Sequence, residues 1–226
     1  MSIVAIITAR GGSKRIPRKN IKEFMGKPMI AYAIDAALNS KIFDEVMVST
    51  DDSEIAEIAK KYGAKVPFMR SAKTSNDLAS TSEVLNEVIN EYKKQKMSFD
   101  EICCIYPCVP FLTANVIKNS YEKFKTSGAD RSIPVVKYSF PIQRALKLNE
   151  KGLLEYREPD CILKRSQDLE QMYHDVGMFY FFKHEKMDSN SIAMFEMDEL
   201  MVQDIDNESD WQMAEMKYRI LHKCIN

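Results

Sequence analysis

A six-residue apolar run, Ile3 to Thr8, empties directly into Ala9-Arg10-Gly11-Gly12-Ser13-Lys14-Arg15-Ile16-Pro17-Arg18-Lys19-Asn20. A β-branched run closed by two glycines predicts a buried strand ending in a tight loop. Between Arg10 and Lys22 lie Arg10, Lys14, Arg15, Arg18, Lys19 and Lys22, with no acidic residue among them. Glycines let a backbone approach a ligand and turn its N–H groups toward an anion. The loop matches neither the Walker A pattern nor the dinucleotide fingerprint G-x-G-x-x-G. A solvated basic turn and a polyphosphate seat both fit its charge. Its place at the carboxyl end of a first strand, where α/β sheets bind ligands, favours the seat.

Strand-like and helix-like stretches alternate after this loop. Helices are expected over about 28–39, 52–62, 81–96 and 113–125, with strands at 45–50, 66–69, 101–106 and 131–136. Such alternation predicts an α/β fold: a Rossmann-like, mostly parallel central sheet flanked by helices. The pattern breaks down over about 138–176, then resumes with a strand at 179–182 and a closing helix at 208–223. No Gly/Ser-rich linker or repeat divides the chain, so residues 1–226 are expected to form a single domain.

Basic and acidic residues nearly cancel, 32 against 33. No global field then recruits nucleic acid or a membrane, and the basic loop must act locally. No apolar run approaches the ~20 residues that span a bilayer, and the start carries no long apolar segment, so a cytoplasmic protein is expected. Five cysteines (Cys103, Cys104, Cys108, Cys161, Cys224) read as reduced, mostly buried thiols. Cys103 and Cys104, adjacent on a strand, point to opposite faces and suit no shared metal.

Asp204-Ile205-Asp206 offers two carboxylates on one face of an extended segment. They suit Mg²⁺, which takes a few carboxylates plus phosphate oxygens, or else they are solvated acids near a helix start, with Asn207 or Ser209 as the cap. Asn20 reads as a ribose or phosphate ligand or as a turn residue. Ser80 and Thr81 stand at a helix start as caps or ligands.

In this order, these segments resemble the cytidylyltransferases that activate nonulosonic (sialic-type) acids as CMP-sugars. The resemblance covers nearly the whole chain. It is carried by Ala9 to Asn20, Ser49-Thr50-Asp51, Ser75 to Thr81, Tyr106-Pro107-x-x-Pro110, Arg165-Ser166-Gln167-Asp168 and Asp204-Ile205-Asp206. Cys103-Cys104-Ile105-Tyr106-Pro107, Pro141 to Ala145 and Tyr173-His174-Asp175-x-Gly177 resemble the branch that uses pseudaminic acid. Tyr106 stands where sialic acid enzymes tend to carry glutamine, and Asp175-Val176-Gly177 replaces an Asn-Gly.

The resemblance implies transfer of CMP from CTP to the anomeric hydroxyl of a nonulosonic acid, with release of pyrophosphate. Arg10, Lys14 and Lys19, with the amides of Gly11, Gly12 and Ser13, would hold the triphosphate. Arg10, Lys19 and Asp206 would be catalytic, and Asp204 and Asp206 would hold Mg²⁺. Arg70 would meet cytosine, and Asn20, Ser80 and Thr81 would complete the nucleotide site. Tyr106, Gln143, Arg144, Arg165 and Gln167 would serve the sugar acid, Arg165 meeting its carboxylate. His174 would orient the sugar or sit in a packed turn. The stretch at 138–176 would be a dimerisation excursion in a homodimer. The alternatives are N-acetylneuraminate or legionaminate as acceptor and, in another class, a non-catalytic nucleotide-binding module.

Overall fold

The computed structural model describes residues 2–223; Cys224 lies outside them. A central sheet is built from β1 (Ile3–Thr8), β2 (Glu45–Ser49), β3 (Glu101–Ile105), β4 (Arg131–Lys137), β5 (Tyr173–Asp175), β6 (Phe179–Lys183) and β7 (Ile192–Glu196). Its order is β7-β4-β6-β3-β1-β2, with β5 also paired to β4. β1 runs parallel to β2 and β3, and β7 parallel to β4, while β6 is inserted antiparallel between β3 and β4. The expected α/β sheet is therefore present, with two reversed strands, β5 and β6.

β5 and β6 share one edge of β4. Ser132 opposes Phe181, and Val135 opposes Asp175. Three steps along β4 thus answer six along the returning strand, and Gly177 absorbs part of the bulge at φ +63°. The excursion therefore leaves the sheet after β4 and rejoins it at Tyr173, before the expected end at about 176.

The described residues form five α-helices: α1 (Met29–Ser40), α2 (Ser53–Lys61), α3 (Thr81–Lys94), α4 (Ala114–Ser127) and α5 (Glu208–Leu221). Their starts are chemically marked. Asp52 caps α2, Ser80 and Glu83 form a capping box on α3, Thr113 caps α4, and Asn207 and Asp210 form a box on α5. No helix among the described residues is long and apolar enough to cross a membrane.

Two expectations change. Val66 to Met69 is not a strand; only Lys65 bridges to β2, opposite Met47. Its apolar residues pack instead, Phe68 standing edge-on to Tyr92 at 5.3 Å. β7 was not foreseen, because its burial alternates between exposed and half-buried at the sheet edge.

Side chains from the two sheet faces enter separate cores. Cys103 joins the cluster with Ile3, Ala5, Ile7 and Phe181, whereas Cys104 joins Val4, Ile6, Leu85 and Tyr92. A third cluster lies off the sheet: Ile16, Phe24, Met29, Tyr32, Phe111, Ile205, Trp211 and Ala214. That cluster positions the site.

Candidate functional site

Ile16 and Ile205 are 3% and 1% exposed and pack in the same cluster. Each is flanked by charges: Arg15 precedes Ile16, and Asp204 and Asp206 bracket Ile205. Burying the two isoleucines turns the basic loop and the acidic pair toward one another. The Arg15 guanidinium meets both oxygens of Asp206, at 2.9 and 2.8 Å. The Lys19 ammonium donates to the Ile205 carbonyl at 2.5 Å and lies 3.9 Å from Asp206. The α5 cap fixes the acidic end: the Asp210 carboxylate accepts the N–H groups of Asp206 and Asn207 at 2.9 and 3.0 Å.

The loop is braced from behind by acids after β2. Gly11 N–H donates to Asp51 at 2.9 Å, and a Cβ at Gly11 would stand 2.7 Å from an Asp52 oxygen. Asp52 itself is engaged by Arg18 at 2.5 and 2.9 Å, which holds its carboxyl below the usual range. Asn20, 5% exposed, donates to the Arg10 carbonyl at 2.9 Å and accepts from the Cys108 thiol at 3.3 Å. Burial pushes that thiol up to about 12, so it stays a protonated donor.

These bonds revise several expected roles. Of the amides expected to face phosphate, Gly11's is bound to Asp51, and Ser13's donates to the Gly11 carbonyl at 3.0 Å. One acid behind the loop and one carbonyl within it take donors that a free loop would offer. Asn20 is turned inward as a brace. The Ser80 hydroxyl is tied to Glu83 at 2.9 Å in the α3 box, so it caps the helix.

Two cavities meet at the loop. The larger, ≈ 500 Å³, is lined by Thr8, Arg10, Arg15, Arg70, Asp77, Thr81 and Tyr106 among others. The smaller, ≈ 270 Å³, is lined by Arg10, Ser13, Lys14, Arg15, Lys19, Asp77 and Asp206. Arg10, Arg15 and Asp77 belong to both, so the two form one cleft with a cationic neck. Arg70 is 8% exposed and donates to the Ser49 hydroxyl and carbonyl at 3.0 and 2.6 Å, which fixes its plane in the larger cavity. Thr81 bonds the Tyr106 hydroxyl at 2.9 Å, and Tyr180 meets Tyr106 edge-on at 5.6 Å.

Asp204 is pushed above the usual carboxylate range, first by burial and next by the charge of Asp206. A divalent cation would relieve both effects, and two hard oxygen donors suit Mg²⁺. No group of three or more His, Cys, Asp or Glu side chains gathers into a metal cage among the described residues, so further donors would come from a ligand and water.

The residues expected at the sugar acid divide. Tyr106 lines the cleft. Gln143 instead donates to the Glu170 carbonyl at 2.8 Å, Arg144 to the Cys161 carbonyl and Ser166 hydroxyl, both at 3.3 Å, and Arg165 to Asp168 at 2.7 and 3.0 Å. These bonds stay inside the excursion, and none of the three, nor Gln167, lines either cavity. A third cavity of ≈ 480 Å³ is lined by His174, Asp175, Tyr180, Gln203, Asp204 and Lys217 among others, and Asp204 lines this cavity rather than the two at the loop. Arg15 and Asp77 were not assigned roles from sequence; their presence in the charged stretch and the Ser75 to Thr81 segment was the available signal.

The cytidylyltransferase family profile matches residues 4–210. A pseudaminic acid cytidylyltransferase of Campylobacter jejuni is 41% identical, covering 99% of both chains. N-acylneuraminate cytidylyltransferase A of Danio rerio is 34% identical over 95% of this chain and 50% of its own length. Among solved structures, a CMP:2-keto-3-deoxy-manno-octonic acid synthetase complexed with CTP superposes with TM-score 0.70 at 19% identity, covering 99% of this chain and 100% of its own. That likeness establishes the shared fold.

Proposed function

The chain belongs to the cytidylyltransferase family, and from that premise we propose that it transfers CMP from CTP to the anomeric hydroxyl of a nonulosonic acid, pseudaminic acid, releasing pyrophosphate. The convergence of Arg10, Lys14, Arg15 and Lys19 on a cleft that also holds Asp206 carries this reading. The acceptor rests on the full-length likeness to a protein named for pseudaminic acid and on Tyr106 in place of an amide.

Attack at the α-phosphorus needs alignment and charge neutralisation more than covalent help. Arg10 and Lys19 bind phosphate oxygens, the guanidinium gripping two at once and the ammonium acting as a point charge. Arg70, braced by Ser49, presents a flat donor edge to the base, and Thr81 faces the ribose. Asp204 and Asp206 would hold Mg²⁺, which would supply neutralisation of the phosphate charge. Arg15 then leaves Asp206 for the phosphates. Tyr106 forms an aromatic wall for the acceptor.

The excursion docks on a second copy. Leu148, Leu154 and Leu163 are 69%, 67% and 96% exposed there, apolar side chains that a second copy would cover. Arg165, with Gln143, Arg144 and Gln167, then serves the acceptor across that contact.

Product analysis tests the reaction. Incubation with CTP, Mg²⁺ and pseudaminic acid should give a CMP–acid conjugate by mass spectrometry, with one pyrophosphate per conjugate. Binding of CTP without conjugate would favour the non-catalytic module.

A further inference from the structure

Two of the loop cations, Arg10 and Lys14, are joined by a carboxylate from outside the loop. Asp77 receives the Arg10 guanidinium at 2.5 Å and also the Lys14 ammonium. It lines both cavities at their shared neck. Those two cations pull its carboxyl below the usual range, Lys14 first.

The segment carrying Asp77 is anchored to α3 at both ends and, between them, Ser75 and Asn76 donate back to its own carbonyls of Ser71 and Lys73. At its start, Glu87 accepts from Ser71 N–H and hydroxyl at 2.7 and 2.8 Å and from Thr74 at 2.5 Å. At its end, Ser80 is locked into the α3 capping box. Between them Asn76 accepts from Leu78 and Ala79 N–H at 2.8 and 3.0 Å, shaping a turn whose Leu78 is 92% exposed. Asp77 can leave the cations by a local movement of this tip without disturbing the sheet or α3.

We propose that Asp77 is a carboxylate latch: it occupies the polyphosphate seat on Arg10 and Lys14, yields to the nucleotide's phosphates, and returns to displace pyrophosphate after transfer. This rests on the functional reading above for the identity of the phosphates, but not for the competition itself. A carboxylate and a phosphate chain repel and need the same donors, so each ligand binds against the latch. Both pairs are largely exposed, with side-chain exposures of 39% and 45% for Arg10 and Asp77 and 78% for Lys14. Exposed pairs are weak, so the latch is readily displaced by a ligand of several charges.

The test is calorimetric titration of the Mg²⁺-free protein with inorganic pyrophosphate, then with CTP. Asp77→Asn, close in shape, should bind pyrophosphate about three- to tenfold more tightly than the natural protein. Asp77→Ala should shift the same way. Asp188→Asn, which removes an equal charge from a residue lining neither cavity, should shift binding less than twofold. In turnover, Asp77→Asn should show stronger product inhibition by pyrophosphate. Equal or weaker pyrophosphate binding by both Asp77 variants overturns the latch, as does an equal gain in Asp188→Asn. Absence of pyrophosphate binding in every protein overturns both the latch and the phosphate seat. Tighter pyrophosphate binding with no preference for CTP over other nucleoside triphosphates leaves the latch standing and removes the cytidylyl reading.

Discussion

Ile205→Ala separates what holds the protein together from what aligns its site. Ile205 is 1% exposed and packs with Ile16, Phe24, Phe111 and Trp211. Truncating such a side chain costs about 2–5 kcal/mol through lost transfer energy and the cavity left behind. Taking about 3 kcal/mol, and about 2–4 °C per kcal/mol for a chain of this size, thermal unfolding should drop by roughly 6–12 °C. The same cavity lets Ile16 and the acidic segment shift, so Asp206 drifts from Arg15 and Lys19. Turnover of the folded protein should fall by at least about tenfold, and the Mg²⁺ needed for half-activity should rise. Ile117→Ala, fully buried on α4 in the sheet core, is the matched control: it should lose comparable stability while keeping kcat per folded molecule. Scanning calorimetry and Mg²⁺ titration of kcat at 20 °C read both quantities. An Ile205→Ala protein that melts lower but keeps normal kcat and Mg²⁺ dependence would refute the claim that this cluster sets the site.

Arg10→Ala and Lys19→Ala should each cut turnover by at least about 10²-fold, roughly 3–4 kcal/mol of transition-state stabilisation, with circular dichroism unchanged; near-normal kcat in folded protein removes their phosphate role. Asp206→Asn should raise the Mg²⁺ requirement and lower kcat, because an amide is a weaker ligand for a hard cation; unchanged titrations in both Asp206→Asn and Asp204→Asn would reduce the pair to helix-cap acids. Asp204 also predicts a pH effect. Its folded-state carboxyl sits above its unfolded value, so its contribution to stability is greatest below about pH 4 and is lost as pH rises through the folded value. Without metal, Asp204→Asn should therefore melt higher than the natural protein at pH 7, the gap closing toward pH 4; a gap that widens on acidification contradicts the burial argument.

The strands that begin the chain were legible because β1, β2 and β3 are short, mostly apolar and almost wholly buried runs separated by helices. β5 and β7 were not, since a three-residue exposed strand and an edge strand that alternates exposed with half-buried leave little apolar signal. Val66 to Met69 misled for the opposite reason: its apolar residues answer to aromatic packing, not to a ladder. In the site, the glycine-basic loop and Asp204-Ile205-Asp206 were readable as charge and spacing. Their partners were not. Arg15 finds Asp206 191 positions away, and Arg10 finds Asp77 67 positions away, distances that no local pattern encodes. The inward turn of Asn20 was equally hidden, since it depends on Cys108 from the loop after β3. Gln143, Arg144 and Arg165 carried a motif, but each is bonded within the excursion and lines neither cavity at the loop.

The most direct measurement is the rate of pyrophosphate release from CTP and Mg²⁺ with pseudaminic acid, legionaminic acid and N-acetylneuraminate side by side at saturating CTP. A site that lacks the amide found in sialic acid enzymes and has an aromatic wall at Tyr106 should favour the more deoxygenated acid. Release should depend on the added acid, with kcat/KM for pseudaminic acid at least about ten times that for N-acetylneuraminate. Equal or faster use of N-acetylneuraminate would contradict the acceptor, and release with none of the acids would contradict the enzyme.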